Sequence, residues 1–181
     1  MLLRDLLLPG MNSDDMRLLF TGLRDALTPN IHDTNGALYA PLGHTGGAPS
    51  EFPLHCDLYV PVRLWNVFDE VPAAGRGGSS IFLRTTELMA LAAQCGVPNA
   101  TRIQLNDCLK IDGRDRYDEF YGLLYNDTPS SRELDRRMRS ASYRIRLNRG
   151  EGYLIHDRIW MHGRTMTENT VTRNRLHRLT F

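Results

Sequence analysis

Two stretches of the chain carry side chains that could hold a metal ion. The tripeptide His55-Cys56-Asp57 offers an imidazole and a carboxylate one residue apart, and His162, in Trp160-Met-His-Gly-Arg164, offers a second imidazole. On an extended strand residues i and i+2 point to the same side, so His55 and Asp57 can reach one ion while Cys56 faces away. Two imidazoles and one carboxylate hold one face of a ferrous ion and leave the opposite positions open. The tripeptide alone is weak evidence, because the chain has six histidines and many aspartates. Its meaning depends on the elements that would bring His162 to it.

Residues 12–27 read as a helix: Ser13 is a candidate N-cap, Asp14 and Asp15 suit the positive helix start, and Leu18, Leu19, Leu23 and Leu27 recur at helical spacing. Pro29 ends it. From Ile31 to Pro53 the composition predicts irregular structure around a short strand at 37–40. His55 to Phe68 reads as one extended region with Pro61 limiting its pairing. A turn over 72–78, a short buried strand at 79–83, and a helix capped by Thr85 or Thr86 and running to about Cys95 follow; Leu88, Met89 and Ala92 share a face of that helix. Residues 101–113 read as one or two strands. The polar stretch 114–140 reads as one or two helices packed by Phe120, Tyr121, Leu123 and Leu134, or as a lid over a site. Tyr143, Ile145 and Leu147 alternate with Arg144 and Arg146, Arg149-Gly-Glu-Gly152 reads as a hairpin-like turn, and strands follow at 153–155 and 176–181. The expected fold is mostly β with flanking helices, an α+β chain with a jelly-roll core. One domain is expected across 1–181, with a helical lead-in over 1–35 and a helical or lid-like insert over 110–140.

The bulk properties narrow the function. The 181 residues suit a single core. A net charge of +1, from 22 basic and 21 acidic residues, provides no global field for nucleic acid or an anionic membrane, and no basic groove with interleaved aromatics appears. Cys56, Cys95 and Cys108 are odd in number and lack metal-knuckle spacing, which argues against a disulfide framework and for a reducing compartment. The apolar opening segment is short and carries Asp5, and no stretch is long and apolar enough to span a bilayer. The expectation is a soluble, cytoplasmic protein acting on a small molecule.

Further pieces stand in order around the candidate ligands. Gly77-Gly78-Ser79-Ser80 follows Asp57, a glycine-led strand from Gly150 through His156-Asp157-Arg158 precedes His162, and Arg178 lies in Asn174-Arg-Leu-His-Arg-Leu-Thr-Phe181. Over roughly residues 37–181 this pattern resembles the Fe(II)/2-oxoglutarate-dependent dioxygenases, in the taurine dioxygenase and clavaminate synthase-like branch. The resemblance implies a double-stranded β-helix, cupin-like core. It implies Fe(II) bound by His55, Asp57 and His162, with 2-oxoglutarate and O2 as cosubstrates. By the same resemblance Arg178 anchors the far carboxylate of 2-oxoglutarate, with Ser80 as the supporting hydroxyl. The implied reaction hydroxylates or desaturates a small polar molecule and releases succinate and carbon dioxide; retention of Asp57 argues against halogenation. Some relatives place a second arginine four residues before the anchor, where this chain has Asn174.

Two other readings stay open: a cupin-like metal-dependent enzyme that uses no 2-oxoglutarate, and a non-catalytic jelly-roll binding protein. Arg63, Arg164 and Arg173 near the expected mouth favour an acidic or zwitterionic substrate such as an amino-acid derivative. Arg164 could meet a substrate carboxylate or pair on the surface, and Asn66 could reach 2-oxoglutarate. His44 could line the mouth. His156 and His177 read as packing or hydrogen-bonded histidines, and Trp65 and Trp160 as core.

Overall fold

The computed structural model describes residues 1–4, 11–31, 36–46, 51–72, 77–167 and 172–181, with backbone alone at 44–46 and 172–174. In chain order the elements are β1 (Leu2–Leu3), α1 (Ser13–Leu27), β2 (Leu38–Gly46), β3 (Phe52–His55), β4 (Arg63–Glu70), β5 (Ser80–Arg84), α2 (Thr85–Gln94), α3 (Asn99–Cys108), α4 (Tyr117–Leu124), α5 (Pro129–Ala141), β6 (Tyr143–Ile145), β7 (Gly152–His156), β8 (Trp160–Arg164) and β9 (Thr172–Thr180). The strands form two sheets, ordered β1-β7-β4-β9-β2 and β3-β8-β5-β6. All their pairings are antiparallel.

Strand alternation sorts the side chains into three cores. Along β5, Ile81 and Leu83 point to one side, where Leu88 and Ala92 of α2, Leu105 of α3, Phe120 and Leu124 of α4, and Leu134 and Met138 of α5 cover the four-stranded sheet. Phe82 points the other way and meets Tyr153 of β7 edge to face at 4.8 Å, so the second core lies between the sheets, with Leu64, Phe68 and Ile155. The third core covers the far side of the five-stranded sheet, where Met16 and Phe20 of α1 pack on Val67 and Leu179. Each large side chain removed from water here contributes about 2–3 kcal/mol.

Local signals explain α1, with two corrections. The N-cap is Asn12, not Ser13: its side chain accepts from the backbone N–H groups of Asp14 and Asp15, and Asp15 accepts from the Asn12 N–H at 2.8 Å. The buried face is Met16, Phe20, Leu23 and Leu27, while Leu18 and Leu19 are exposed. The extra leucines at adjacent positions cannot share one face of a 3.6-residue turn.

Other expectations also change. The strand expected at 37–40 runs to Gly46, paired along its length with β9. The expected extended region 55–68 breaks after His55, passes through a cis Val60–Pro61 bond, and resumes at Arg63. Thr85 opens α2 as its first residue rather than capping it, and Arg84 is the N-cap. Residues expected as strands over 101–113 form α3 as far as Cys108, because Leu105 and Cys108, spaced for a helix, both bury under the neighbouring helices. The turn at 149–152 is no hairpin: β6 pairs with β5 while β7 pairs with β4 and β1, so the turn carries the chain from one sheet to the other. The helices expected within 114–140 are α4 and α5. The turn expected at 72–78 falls largely outside the described residues.

Candidate metal centre

His55 ends β3 and His162 is the middle of β8, and the two are direct partners in the antiparallel pair. Gly163 makes their approach possible: a Cβ there would stand 2.6 Å from the Phe52 carbonyl oxygen and 2.9 Å from that of Pro53. The rings of His55 and His162 lie 4.4 Å apart, centroid to centroid. Asp57 joins them, though not along a strand. It sits in the loop after β3, and its carboxylate places Oδ1 3.4 Å from His55 Nε2 and Oδ2 3.6 Å from His162 Nε2. One donor atom from each of the three residues lies within 4.8 Å of the others, and all three residues are buried.

The bend His156-Asp157-Arg158 between β7 and β8 holds that loop. Asp157 accepts from the backbone N–H of Asp57 at 3.1 Å and of Leu58 at 2.5 Å. Arg158 donates to the Leu58 carbonyl at 3.0 Å and to the carbonyls of Cys108 and Lys110. Leu58 itself is in the left-handed region, at φ 57°, which costs a side-chain-bearing residue about 1–2 kcal/mol and is offset by these bonds. In the sequence this stretch read only as a bend; the positioning role of Asp157 and Arg158 depends on a contact a hundred residues back along the chain and left no local signal. Tyr125 secures the other side, donating to the Leu54 carbonyl at 2.7 Å. Cys56 points away from the centre and is fully buried under the helices.

The donor set fits a cation. His55 Nδ1 hydrogen-bonds the Pro53 carbonyl at 2.8 Å, so in the neutral ring Nδ1 carries the proton and Nε2 turns a lone pair toward Asp57. His55 Nε2 and both ring nitrogens of His162 are buried without a hydrogen-bond partner. Burial, then the nearby His55 ring and Arg178, hold the His162 pKa well below the usual imidazole range against the pull of Asp57, so His162 offers a lone pair at neutral pH. Burial works to raise Asp57, but His55, His162 and Arg178 outweigh it and keep the carboxyl ionised, far below its ordinary value. Buried lone pairs facing an ionised carboxylate are costly unless a cation lies between them. Burial, then the neighbouring Asp57, push Asp157 up to about 7, while its two backbone donors pull it down.

A cavity of about 500 Å³ opens beside His162 and between the sheets, lined also by Ser80, Tyr153, Arg164, Leu176 and Arg178. Arg178 donates from Nε to Asn66 Oδ1 at 3.0 Å and from NH1 to Asp57 Oδ2 at 2.6 Å. Asn66 in turn donates to the Tyr153 hydroxyl at 2.6 Å. The structure therefore brings Arg178 to the three candidate ligands, and sets Ser80 elsewhere on the cavity wall, opposite Arg164 in the β5–β8 register. Tyr117 of α4 reaches the centre from the helical side, its ring 5.8 Å from that of His55.

The remaining candidates sort by sheet face. His177 lies buried on the α1 side, with the Tyr39 hydroxyl 2.8 Å from Nδ1 and Asp69 near Nε2. Trp65 packs on Phe20 there at 5.2 Å. Trp160 lies under the Arg84 guanidinium, 5.0 Å from its ring centre. His156 accepts from the Arg158 N–H, and Arg63 lies over the Phe181 ring. The side chains of His44 and Arg173 fall outside the described residues.

Sequence comparison finds no matching family model and no matching curated protein. Comparison with solved structures finds PvcB from Pseudomonas aeruginosa at TM-score 0.52 and 15% identity, covering 99% of this chain and 74% of that one. A second PvcB structure, described as that of an Fe, alpha-ketoglutarate dependent oxygenase from an isonitrile synthetic pathway, matches at TM-score 0.49 and 15% identity, covering 94% and 71%. A putative alpha-ketoglutarate-dependent taurine dioxygenase from Burkholderia xenovorans matches at TM-score 0.49 and 13% identity, covering 99% and 74%. The chain shares the overall fold of PvcB. Among the described residues no helix is long and apolar enough to cross a membrane.

Proposed function

We propose that the protein is an Fe(II)- and 2-oxoglutarate-dependent oxygenase acting on a small polar molecule. The observation that carries this reading is the meeting of His55, Asp57 and His162, buried and within 4.8 Å, at the edge of an arginine-bearing cavity. The paired antiparallel sheets are read as a double-stranded β-helix, the jelly-roll core expected of a cupin-like fold, in one domain across 1–181. PvcB, whose fold the chain shares, is described as an oxygenase with these requirements.

In this reading His55 Nε2, His162 Nε2 and one oxygen of Asp57 hold Fe(II) on one face. The chemistry such a centre supplies is oxidation of a substrate C–H bond, coupled to conversion of 2-oxoglutarate and O2 to succinate and carbon dioxide. The chain's own residues prepare the place. His55 is oriented by the Pro53 carbonyl, which fixes its tautomer. Asp57 is oriented from behind by Asp157 and from the cavity side by Arg178. Asn66 and Tyr153 lock the Arg178 guanidinium in turn. Phe52, Phe68 and Leu176 give the cavity its apolar walls. Ser80, Arg164 and Arg178 give it hydroxyl and positive groups suited to a dicarboxylate cosubstrate and to an acidic or zwitterionic substrate, such as an amino-acid derivative. Helices α4 and α5 pack on the four-stranded sheet, and α4 presents Tyr117 to the centre. The free cysteines Cys56, Cys95 and Cys108 suit the cytoplasm.

The test is succinate release. Protein supplied with Fe(II), 2-oxoglutarate and air is screened against amino acids and other small acids. Succinate formed in step with one substrate is the expected result. Oxygen uptake without succinate would replace this reading with a metal-dependent enzyme that uses no 2-oxoglutarate.

A further inference from the structure

The space between the two sheets opens a second time, away from the metal ligands. A cavity of about 370 Å³ lies at the β1 and β6 edges, lined by Phe82, Tyr143, Tyr153 and Trp160 together with Ile145 and Ile155. Its size falls among small-molecule sites, which run from about 300 to 1,000 Å³. None of His55, Asp57 and His162 lines it, and among the described residues Tyr153 alone borders both this cavity and the one beside His162.

Strand alternation builds the aromatic lining. Phe82 and Arg84 are i and i+2 on β5, so both side chains face between the sheets. Tyr143 of β6 is the cross-strand partner of Phe82, and Trp160 of β8 is that of Arg84. The Phe82 and Tyr153 rings meet edge to face at 4.8 Å, and the Tyr143 and Trp160 rings at 6.3 Å. At the mouth, Leu2 and Tyr143 are 44% and 55% exposed. Covering these large apolar groups is favourable, and a ring entering between them gains stacked or edge contacts on several sides.

An aromatic cage by itself suits a cation as well as a neutral ring. Arg84 decides between them. Its guanidinium stands 5.0 Å from the centre of the Trp160 ring and is already the cation on that face. Among the described residues no carboxylate lines the cavity or pairs with the Arg84 guanidinium. A cationic ligand would meet like charge there, whereas an anionic one finds the planar donor fork of an arginine. We propose that this cavity is a binding site for a small aromatic acid, with its ring among Phe82, Tyr143, Tyr153 and Trp160 and its carboxylate on Arg84. The site uses no metal ligand and stands independently of the reaction proposed above.

The experiment is calorimetric titration of the full chain with 2-naphthoate and with 2-naphthamide, a neutral molecule of nearly the same shape. Wild type should bind the acid about 10-fold more tightly than the amide. Arg84→Gln should abolish that preference by weakening the acid alone, and its retained amide binding shows that the variant is folded. Arg84→Lys, which keeps the charge, should preserve part of the preference. Tyr143→Ala, at an exposed position, should weaken both molecules by about 5-fold. A preference for the acid that survives Arg84→Gln would place it in the other cavity, with Arg164 and Arg178, and overturns the assignment. Wild-type protein that binds neither molecule, or a Tyr143→Ala protein that binds both as wild type does, overturns it as well.

Discussion

The guanidinium of Arg178 reaches across the gap between the two sheets and holds Asp57 Oδ2 at 2.6 Å, while Oδ1 of the same carboxylate faces His55 Nε2 at 3.4 Å. The oxygen held by Arg178 also lies 3.6 Å from His162 Nε2, so each carboxylate oxygen faces one histidine. Arg178→Met should release the carboxylate and weaken Fe(II) binding by about 10–100-fold, the range for removing a partner of a metal ligand. Equilibrium titration with Fe(II) under anaerobic conditions measures it, and an unchanged affinity would show that Asp57 is oriented from elsewhere.

Asp157 supports the same carboxylate from behind through the backbone of Asp57 and Leu58. Asp157→Ala leaves two buried N–H groups unsatisfied and should cost about 2–4 kcal/mol of stability. The loop then no longer presents Asp57, so Fe(II) affinity should also fall by at least about 10-fold. Denaturant unfolding and metal titration of the same variant separate the two effects. Loss of stability with intact Fe(II) affinity would make Asp157 a fold residue only.

Gly163 permits β8 to lie against the Phe52 and Pro53 carbonyls. Gly163→Ala should force β3 and β8 apart and destabilise the protein by about 1–3 kcal/mol. Because the same displacement parts His55 from His162, metal affinity should drop more than it does for an alanine placed at the exposed Gly22, which has nothing within 4 Å of its Cβ position.

A pH effect arises on the opposite face of the five-stranded sheet. Burial lowers the His177 pKa, with Asp69 opposing it. The unfolded chain therefore takes up this proton more readily than the folded one, and stability should fall as pH drops below about 6.5. Asp69 behaves differently: burial raises it, but Ser13, His177 and Arg175 outweigh burial and hold its pKa below the ordinary carboxylate value. Its contribution is present above about pH 3.9 and is lost as pH falls through the folded value. His177→Gln should flatten the decline in melting temperature between pH 7 and 5 relative to wild type. Asp69→Asn should be less stable than wild type at pH 7, with the gap closing below pH 4. Parallel melting curves for the two variants and wild type would refute this if all kept the same slope.

The parts of the site legible in the sequence were those fixed by residue type. His55, Asp57 and His162 stand out because few side chains can ligate a metal, and Ser80 and Arg178 because the family pattern marks their order. Which arginine stands beside Ser80 was not legible, since that depends on β5 pairing with β8 rather than with β9. Asp57 was expected on a strand with His55, but its position comes from a loop gripped by Asp157 and Arg158, a contact made only when distant segments fold together. In the fold, α1 and β5 followed their local patterns. Helix α3 did not: Thr101, Ile103 and Leu105 mimic the alternation of a strand, and packing of Leu105 and Cys108 beneath α2 and α4 decides the matter.

The most direct measurement is anaerobic absorbance of the protein with Fe(II) and 2-oxoglutarate. A visible metal-to-ligand charge-transfer band in wild type, absent in His162→Ala along with Fe(II) binding, is the predicted result. Wild-type protein that binds Fe(II) and yet develops no band with 2-oxoglutarate would contradict the proposed function.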